Sequence, residues 1–241
     1  MNIAKKALRK LYYVTLGRNA VIDRFFRYRR PHDYWKRRGG ERYFEEQEAV
    51  GDRTERSLFI AGEVSNLTLA SLLEIGCGYG KQLQNITQKK TGLSVAGCDF
   101  SRPQLMKGFE HFPPMRERVA EADAEFLPFK SRSFDAVMSS AVILHNDYRK
   151  AQRILWEMIR VSRKYLIHNE DTDVTFSRYG YDMTETYRAL NFRILVSKTI
   201  PCSQDPAHTQ FTVAEISSSG LPVRPDDIPL KYYKEPEKVR S

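Results

Sequence analysis

Apolar residues in this chain of 241 residues fall into two rhythms that alternate along it. One is a short, nearly unbroken run, as in Leu72-Leu73-Glu74-Ile75, Val95-Ala96-Gly97-Cys98, Ala136-Val137-Met138 and Tyr165-Leu166-Ile167. Runs of this kind suit strands covered on both faces of a parallel sheet. The other rhythm returns every three to four positions and marks amphipathic helices. It is clearest over residues 148–163, where Ile154, Leu155, Met158 and Ile159 share one face and Arg149, Lys150, Arg153 and Arg160 the other. Residues 81–90 and 183–190 read as helices as well, and Ser101 with Pro103 marks a helix start after the second run. The strand series runs 71–75, 93–100, 118–121, 135–144 and 164–169, with 192–200 and 210–216 alternating as strands near the end. Strands interleaved with helices predict an α/β fold, a doubly wound and mostly parallel sheet.

The flanks have another texture. Over residues 3–14, Ile3, Ala4, Leu8, Leu11 and Val14 cluster on one helical face, with Lys5, Lys6, Arg9 and Lys10 largely opposite. Such a helix either lies in a membrane interface or packs on its own domain with a solvated basic face. Residues 31–40 break the pattern at both ends, and 41–66 read as one or two helices leading into the first strand. Residues 217–241 are rich in proline and charge, a tail that drapes over the domain or stays mobile. The expected organisation is a basic helical N-terminal extension over 1–65, an α/β domain over 66–217 and a C-terminal tail over 218–241.

Charge sharpens that division. The chain carries +9, yet residues 1–42 hold thirteen Lys/Arg against Asp23, Asp33 and Glu41, so the remainder is close to neutral. Basicity confined to the first segment points to an anionic partner: a membrane surface, nucleic acid or a phosphorylated substrate. No uncharged apolar run approaches the roughly 18–20 residues of a spanning helix, and no cleavable leader is evident. Cys77, Cys98 and Cys202 are widely spaced, with no Cys-x-x-Cys pair, which argues against a disulfide framework or a zinc site. A reducing cytoplasm is the expected compartment, with peripheral attachment to the inner face of the membrane added by the basic start.

Chemistry concentrates after the first strand. Glu74-Ile75-Gly76-Cys77-Gly78-Tyr79-Gly80-Lys81 places glycines on alternate positions, where side chains would keep backbone amides from a nucleotide-like ligand. The dinucleotide spacing G-x-G-x-x-G fails from either glycine, which disfavours a nicotinamide-dependent oxidoreductase, and Gly80-Lys81-Gln82 is not a Walker loop. Asp99 ends the second strand about twenty residues past the loop, where a carboxylate either accepts both ribose hydroxyls of an adenosyl group or caps the strand.

This acidic-x-Gly-x-Gly-x-Gly pattern resembles the first motif of the class I S-adenosylmethionine-dependent methyltransferases, and later segments continue the likeness. Asp123-Ala124 followed by Leu127-Pro128-Phe129 and Ser133-Phe134-Asp135 matches the stretch that precedes the fourth strand in that family. The resemblance implies a Rossmann-like seven-stranded sheet with an antiparallel edge strand, and S-adenosyl-L-methionine as cofactor. It assigns cofactor binding to Glu74, Gly76, Cys77, Gly78, Gly80, Asp99, Phe100, Asp123, Ala124 and Ser140. Asp123 would meet the adenine amino group and the Ala124 amide a ring nitrogen. Cys77 reads as a small space-filler within the loop rather than a catalytic thiol. By the same likeness Tyr34, Trp35 and Arg38 are candidates for a segment folding over the cofactor.

Acceptor-side candidates come from strand ends. Ser140, Val142 and His145 fall at the carboxyl end of the fourth strand, where ligands sit in open α/β sheets. His145 positions substrate, faces the cofactor or takes a proton, unless it merely caps the next helix. His168 and Glu170, with Asn169 and Asp171, terminate the fifth strand. His145, His168 and Glu170 are therefore the expected catalytic set. No spacing demands a metal from His168, Glu170 and Asp171. Arg178, Tyr179 and Tyr181 suggest a substrate-side loop, with His208 in a later one. The expected activity is O-methylation of a small-molecule, glycan or lipid-linked acceptor, with an anionic membrane surface meeting residues 1–30. The absence of an Asn-Pro-Pro-Tyr sequence weakens methylation of base amino groups. RNA methylation through the basic arm, or a non-catalytic binding module on the same fold, are the competing readings.

Overall fold

The computed structural model describes residues 34–35, 41–49, 51–175, 178–200, 209–217 and 221–233. The basic helix expected over 3–14, Arg38, Cys202 and His208 lie outside the described residues. Two helices, α1 (Glu41–Glu48) and α2 (Gly51–Ser65), lead into β1 (Ser71–Ile75). Then follow α3 (Lys81–Lys89), β2 (Ser94–Asp99), α4 (Arg102–His111), β3 (Val119–Glu121) and β4 (Phe134–Ser140). Next come α5 (Tyr148–Val161), β5 (Ser162–Asp171), the short β6 (Val174–Thr175), β7 (Arg178–Tyr179) and β8 (Tyr181–Asp182), and α6 (Met183–Ala189). The chain closes with β9 (Arg193–Thr199), β10 (Thr209–Glu215) and β11 (Lys231–Tyr232).

Seven strands form one sheet in the order β3-β2-β1-β4-β5-β10-β9. The first five pair in parallel, while β10 runs antiparallel to both β5 and β9. The expected reversal is thus present near the sheet edge, carried by β10 between β5 and the outermost β9. Alternate residues of each strand feed opposite cores. Leu73, Ile75, Val137 and Leu166 pack with Ile154, Leu155 and Met158 of α5. Leu72, Met138 and Ile167 pack on the other face with Ile60 and Val64 of α2 and Leu83 and Ile86 of α3. Both faces are covered, which is why these strands read as continuous apolar runs. The helix α2, expected in the extension, belongs to this core: Ser57 donates to Gln82 at 2.7 Å and Ile60 is fully buried.

Three stretches depart from the sequence expectation. The fourth strand stops at Ser140 instead of running to Leu144, because Ala141 takes a left-handed conformation (φ 56°) just after its N–H makes a last bond to the Asn169 carbonyl at 2.8 Å. Residues Ile143–His145 then coil into a single 3-10 turn. The fifth strand continues through His168, Asn169 and Glu170 to Asp171, because β10 pairs alongside it, Thr212 opposite His168 and Gln210 opposite Glu170. The described part of the tail, residues 221–233, drapes over the domain. Its β11 pairs with β8, Tyr232 stacks on Tyr181 at 5.3 Å, and Ile228 and Leu230 are buried.

Candidate active site

Residues 76–80 connect β1 to α3 across the carboxyl edge of the sheet. Gly76 has φ 63°, and a β-carbon there would lie 2.3 Å from Val142 Cγ2. The loop therefore rests directly on the turn that follows β4. Behind it, a β-carbon at Gly108 in α4 would lie 2.6 Å from the Tyr79 carbonyl oxygen. A lone glycine inside a helical pattern is the signal by which the sequence could have revealed that contact.

Asp99 fixes the loop as well as facing the cleft. Its Oδ2 accepts from the Gly78 N–H at 2.9 Å and its Oδ1 from the Ser101 N–H at 2.7 Å. Burial raises its pKa, and these two N–H groups oppose that shift. Glu74 lies deeper. Burial, and secondarily the charge of Asp99, pushes its pKa from 4.5 up to about 8. Its Oε2 is buried with no hydrogen-bond partner, an unusual state for a carboxyl oxygen. Burial first, then the charges of Asp99 and Glu74, holds the Cys77 thiol well above its ordinary range. It stays a thiol and fills space against Gly97.

Two adjoining clefts border this loop. The first, about 860 Å³ of empty space with its mouth, brings together Gly76, Asp99, Phe100, Asp123, Ala124 and Ser140 with His145. The second, about 700 Å³, is lined by Glu74, Cys77 and Gly78. Gly76, Gln104, Ser140 and Tyr43 line both, so the clefts run on from one another. Asp123 sits at the far end of the first. Its Oδ1 accepts from the Glu125 N–H at 3.0 Å, and Lys150 Nζ lies 3.9 Å from its Oδ2. Of the expected binding residues, Gly80 alone lines neither cleft: it precedes α3 and packs against Met115.

The acceptor-side expectation divides. His145 faces the first cleft, its ring 5.2 Å from that of Trp35, which also lines the cleft. Trp35 is in turn 5.7 Å from Tyr43, and its carbonyl accepts from Ser101 Oγ at 3.3 Å. The segment expected to fold over the cofactor thus contributes Trp35, while Tyr34 packs edge-on against it and stays exposed. His168 and Glu170 are not at a solvated strand end. They are 0% and 1% exposed and line neither cleft, because β5 is extended through them by β10. Among the described residues no group of three or more His, Cys, Asp or Glu is placed to hold a metal ion. Gln104, Tyr43 and Lys150 line the site without having been singled out. Each belongs to a helix that reads as ordinary, and only its packing against the loop or Asp123 reveals it.

Residues 72–165 match a family model described as a methyltransferase domain. Over that stretch the chain is similar to methyltransferase domains. Demethylmenaquinone methyltransferase of Roseiflexus castenholzii is 34% identical over 91 residues, 37% of this chain and 38% of that protein. Phthiotriol/phenolphthiotriol dimycocerosates methyltransferase 1 of Mycobacterium ulcerans is 31% identical over 103 residues, 41% of this chain and 36% of that protein. The matched segments therefore span a little over a third of those relatives. Among solved structures, magnesium protoporphyrin IX methyltransferase from Synechocystis PCC 6803 with bound S-adenosylmethionine shares the fold. Its TM-score is 0.56 at 18% identity, covering 90% of this chain and 99% of that one. Phosphoethanolamine N-methyltransferase 1 from Haemonchus contortus gives 0.61 at 15% identity, covering 81% of this chain and 50% of that one. The glycine loop, Asp99 and Asp123 all fall inside the matched residues.

Proposed function

We propose that this chain transfers a methyl group from S-adenosyl-L-methionine to an oxygen of a small-molecule, glycan or lipid-linked acceptor. The observation that carries the reading is a row of three carboxylates along two continuous clefts, ending in the buried, unpartnered Oε2 of Glu74. A buried carboxyl oxygen without a donor fits a cationic group such as the ammonium of the cofactor's amino-acid end. Asp99 then accepts the ribose hydroxyls, and Asp123 with the Ala124 amide receives the adenine edge. When bound, the cofactor supplies a methyl group on a sulfonium, an electrophile with a good leaving group. The protein's part is to align the acceptor and exclude water. Trp35 and Tyr43 cover the cleft, and His145 holds the acceptor oxygen or removes its proton.

The two relatives are named for a quinone-like and a lipid substrate, which supports a lipid-linked acceptor here. Thirteen basic residues within the first 42 support residues 1–30 as a peripheral contact with an anionic membrane at its cytoplasmic face. The test is to incubate the full chain with a methyl-labelled donor and a panel of lipid, glycan and phenolic acceptors, scored by product mass. Methylated product from a lipid or glycan acceptor is expected. Methylation of RNA alone, together with no binding to anionic vesicles, would overturn the acceptor assignment.

A further inference from the structure

Behind the first cleft four buried polar side chains form a continuous hydrogen-bonded chain. Tyr187 Oη lies 2.5 Å from His168 Nε2, His168 Nδ1 lies 2.8 Å from Ser139 Oγ, and Ser139 Oγ lies 2.8 Å from Glu170 Oε1. All four are at most 1% exposed. Proton directions follow by elimination. An ionised carboxylate only accepts and Ser139 has a single hydroxyl hydrogen, so Ser139 donates to Glu170. His168 Nδ1–H then donates to Ser139, and in the neutral ring Nε2 accepts from the Tyr187 hydroxyl. Burial, with the charge of Glu170, keeps the Tyr187 phenol far from ionising, in keeping with its role as donor.

The far end of this chain is where it meets the site. Glu170 Oε1 also accepts from the Val142 and Ile143 N–H groups at 3.3 Å, and Oε2 from the Leu144 N–H at 3.2 Å. Those three amides open the turn that carries His145 to the cleft and sets Val142 against Gly76. Among the described residues no Lys or Arg forms an ion pair with Glu170. His168 Nδ1 lies 4.0 Å from its Oε1 and forms an ion pair with it only when protonated. A buried carboxylate with no Lys or Arg beside it is an expensive way to fill a core, since an apolar side chain would pack there at less cost.

We propose that Glu170, oriented by Ser139, His168 and Tyr187, is the positioning residue of the site: it holds the Val142–His145 turn so that His145 faces the cleft. The proposal deepens the function given above, resting on it for the role of His145, and moves His168 and Glu170 from contact with substrate to support behind it. Ser139 is the penultimate residue of β4, but it is fully buried and lines neither cleft, unlike its neighbour Ser140.

Glu170→Gln keeps the shape but turns an N–H₂ group toward a donor and loses at least one acceptor. Backbone amide exchange over residues 142–144 of the full chain should rise about 10- to 100-fold, with the rest of β4 and β5 protected as before. Tyr187→Phe, the milder variant, should raise exchange at the same amides by about 2- to 5-fold, because it perturbs Glu170 only through two intermediates. In a Trp156→Phe background Trp35 is the sole tryptophan. Quenching of its emission as His145 gains a proton should then weaken in Glu170→Gln. Unchanged exchange at 142–144 and unchanged Trp35 quenching, with only a lowered melting temperature, would reduce the chain to a core brace and overturn the proposal. If Glu170→Gln fails to fold, Tyr187→Phe decides alone by the same two readouts. Neither readout needs cofactor or acceptor. Failure of wild type to bind S-adenosylhomocysteine would sink the proposed function while leaving the positioning result standing, and the converse holds as well.

Discussion

The two ends of the site use buried acids in opposite ways. At the glycine-loop end, Glu74 is buried with an oxygen that has no partner, and its pKa is pushed up to about 8. At the β4–β5 end, Glu170 is equally buried, but it accepts from Ser139 and three backbone amides. The first arrangement is incomplete and calls for a cation from outside. The second is complete and turns its back on the cleft. Burial alone therefore does not separate a binding carboxylate from a supporting one; the count of satisfied oxygens does.

Substitutions at the two ends should behave differently, and the largest effect belongs to the loop. Gly76→Ala places a β-carbon into Val142 at a positive φ. It should cost about 2–4 kcal/mol of stability and more than about 100-fold in S-adenosylhomocysteine affinity, read by thermal melting and calorimetry. Asp99→Ala removes an acceptor for Gly78 and Ser101 as well as the ribose contact, and should weaken the same titration about 100-fold. Glu170→Gln, at the other end, should leave that affinity within about 3-fold; a loss as large as that of Asp99→Ala would erase the distinction between the ends.

Glu74 gives a smaller effect with a distinctive pH signature. Its folded pKa lies above the unfolded value, so the stability it contributes is full below about pH 4.5 and is lost as pH rises through about 8. Cofactor-free Glu74→Gln should accordingly be more stable than wild type at pH 8.5, by about 1–3 kcal/mol, in denaturant titrations. Lys150→Ala should matter least. Its ion pairs with Glu125 at 2.9 Å and Asp123 at 3.9 Å are partly exposed, so about a 2-fold change in affinity is expected.

Much of the loop end was legible because its chemistry is local. Steric demand puts glycines at 76 and 78, and the parallel sheet brings a carboxylate at 99 beside them. The other end depends on a partner forty residues away in sequence. Nothing near His168 or Glu170 announces that β10 will pair alongside them and draw them inward. Likewise Ala141 carries no signal that it leaves the strand in a left-handed turn, after which the next three amides meet Glu170 from across the sheet. Polar residues at an expected strand end are consistent with either a site or its support, and only tertiary pairing decides between them.

The most direct measurement is calorimetric titration of the full chain with S-adenosylhomocysteine at pH 7 in buffers of different ionisation enthalpy. With Glu74 protonated in the free protein and ionised beside the ligand's ammonium, binding should be one-to-one and release about one proton. Affinity should climb with pH toward about 8, and Glu74→Gln should abolish both the proton release and the climb. Absence of binding, or binding with no buffer dependence in wild type, would contradict the cofactor assignment.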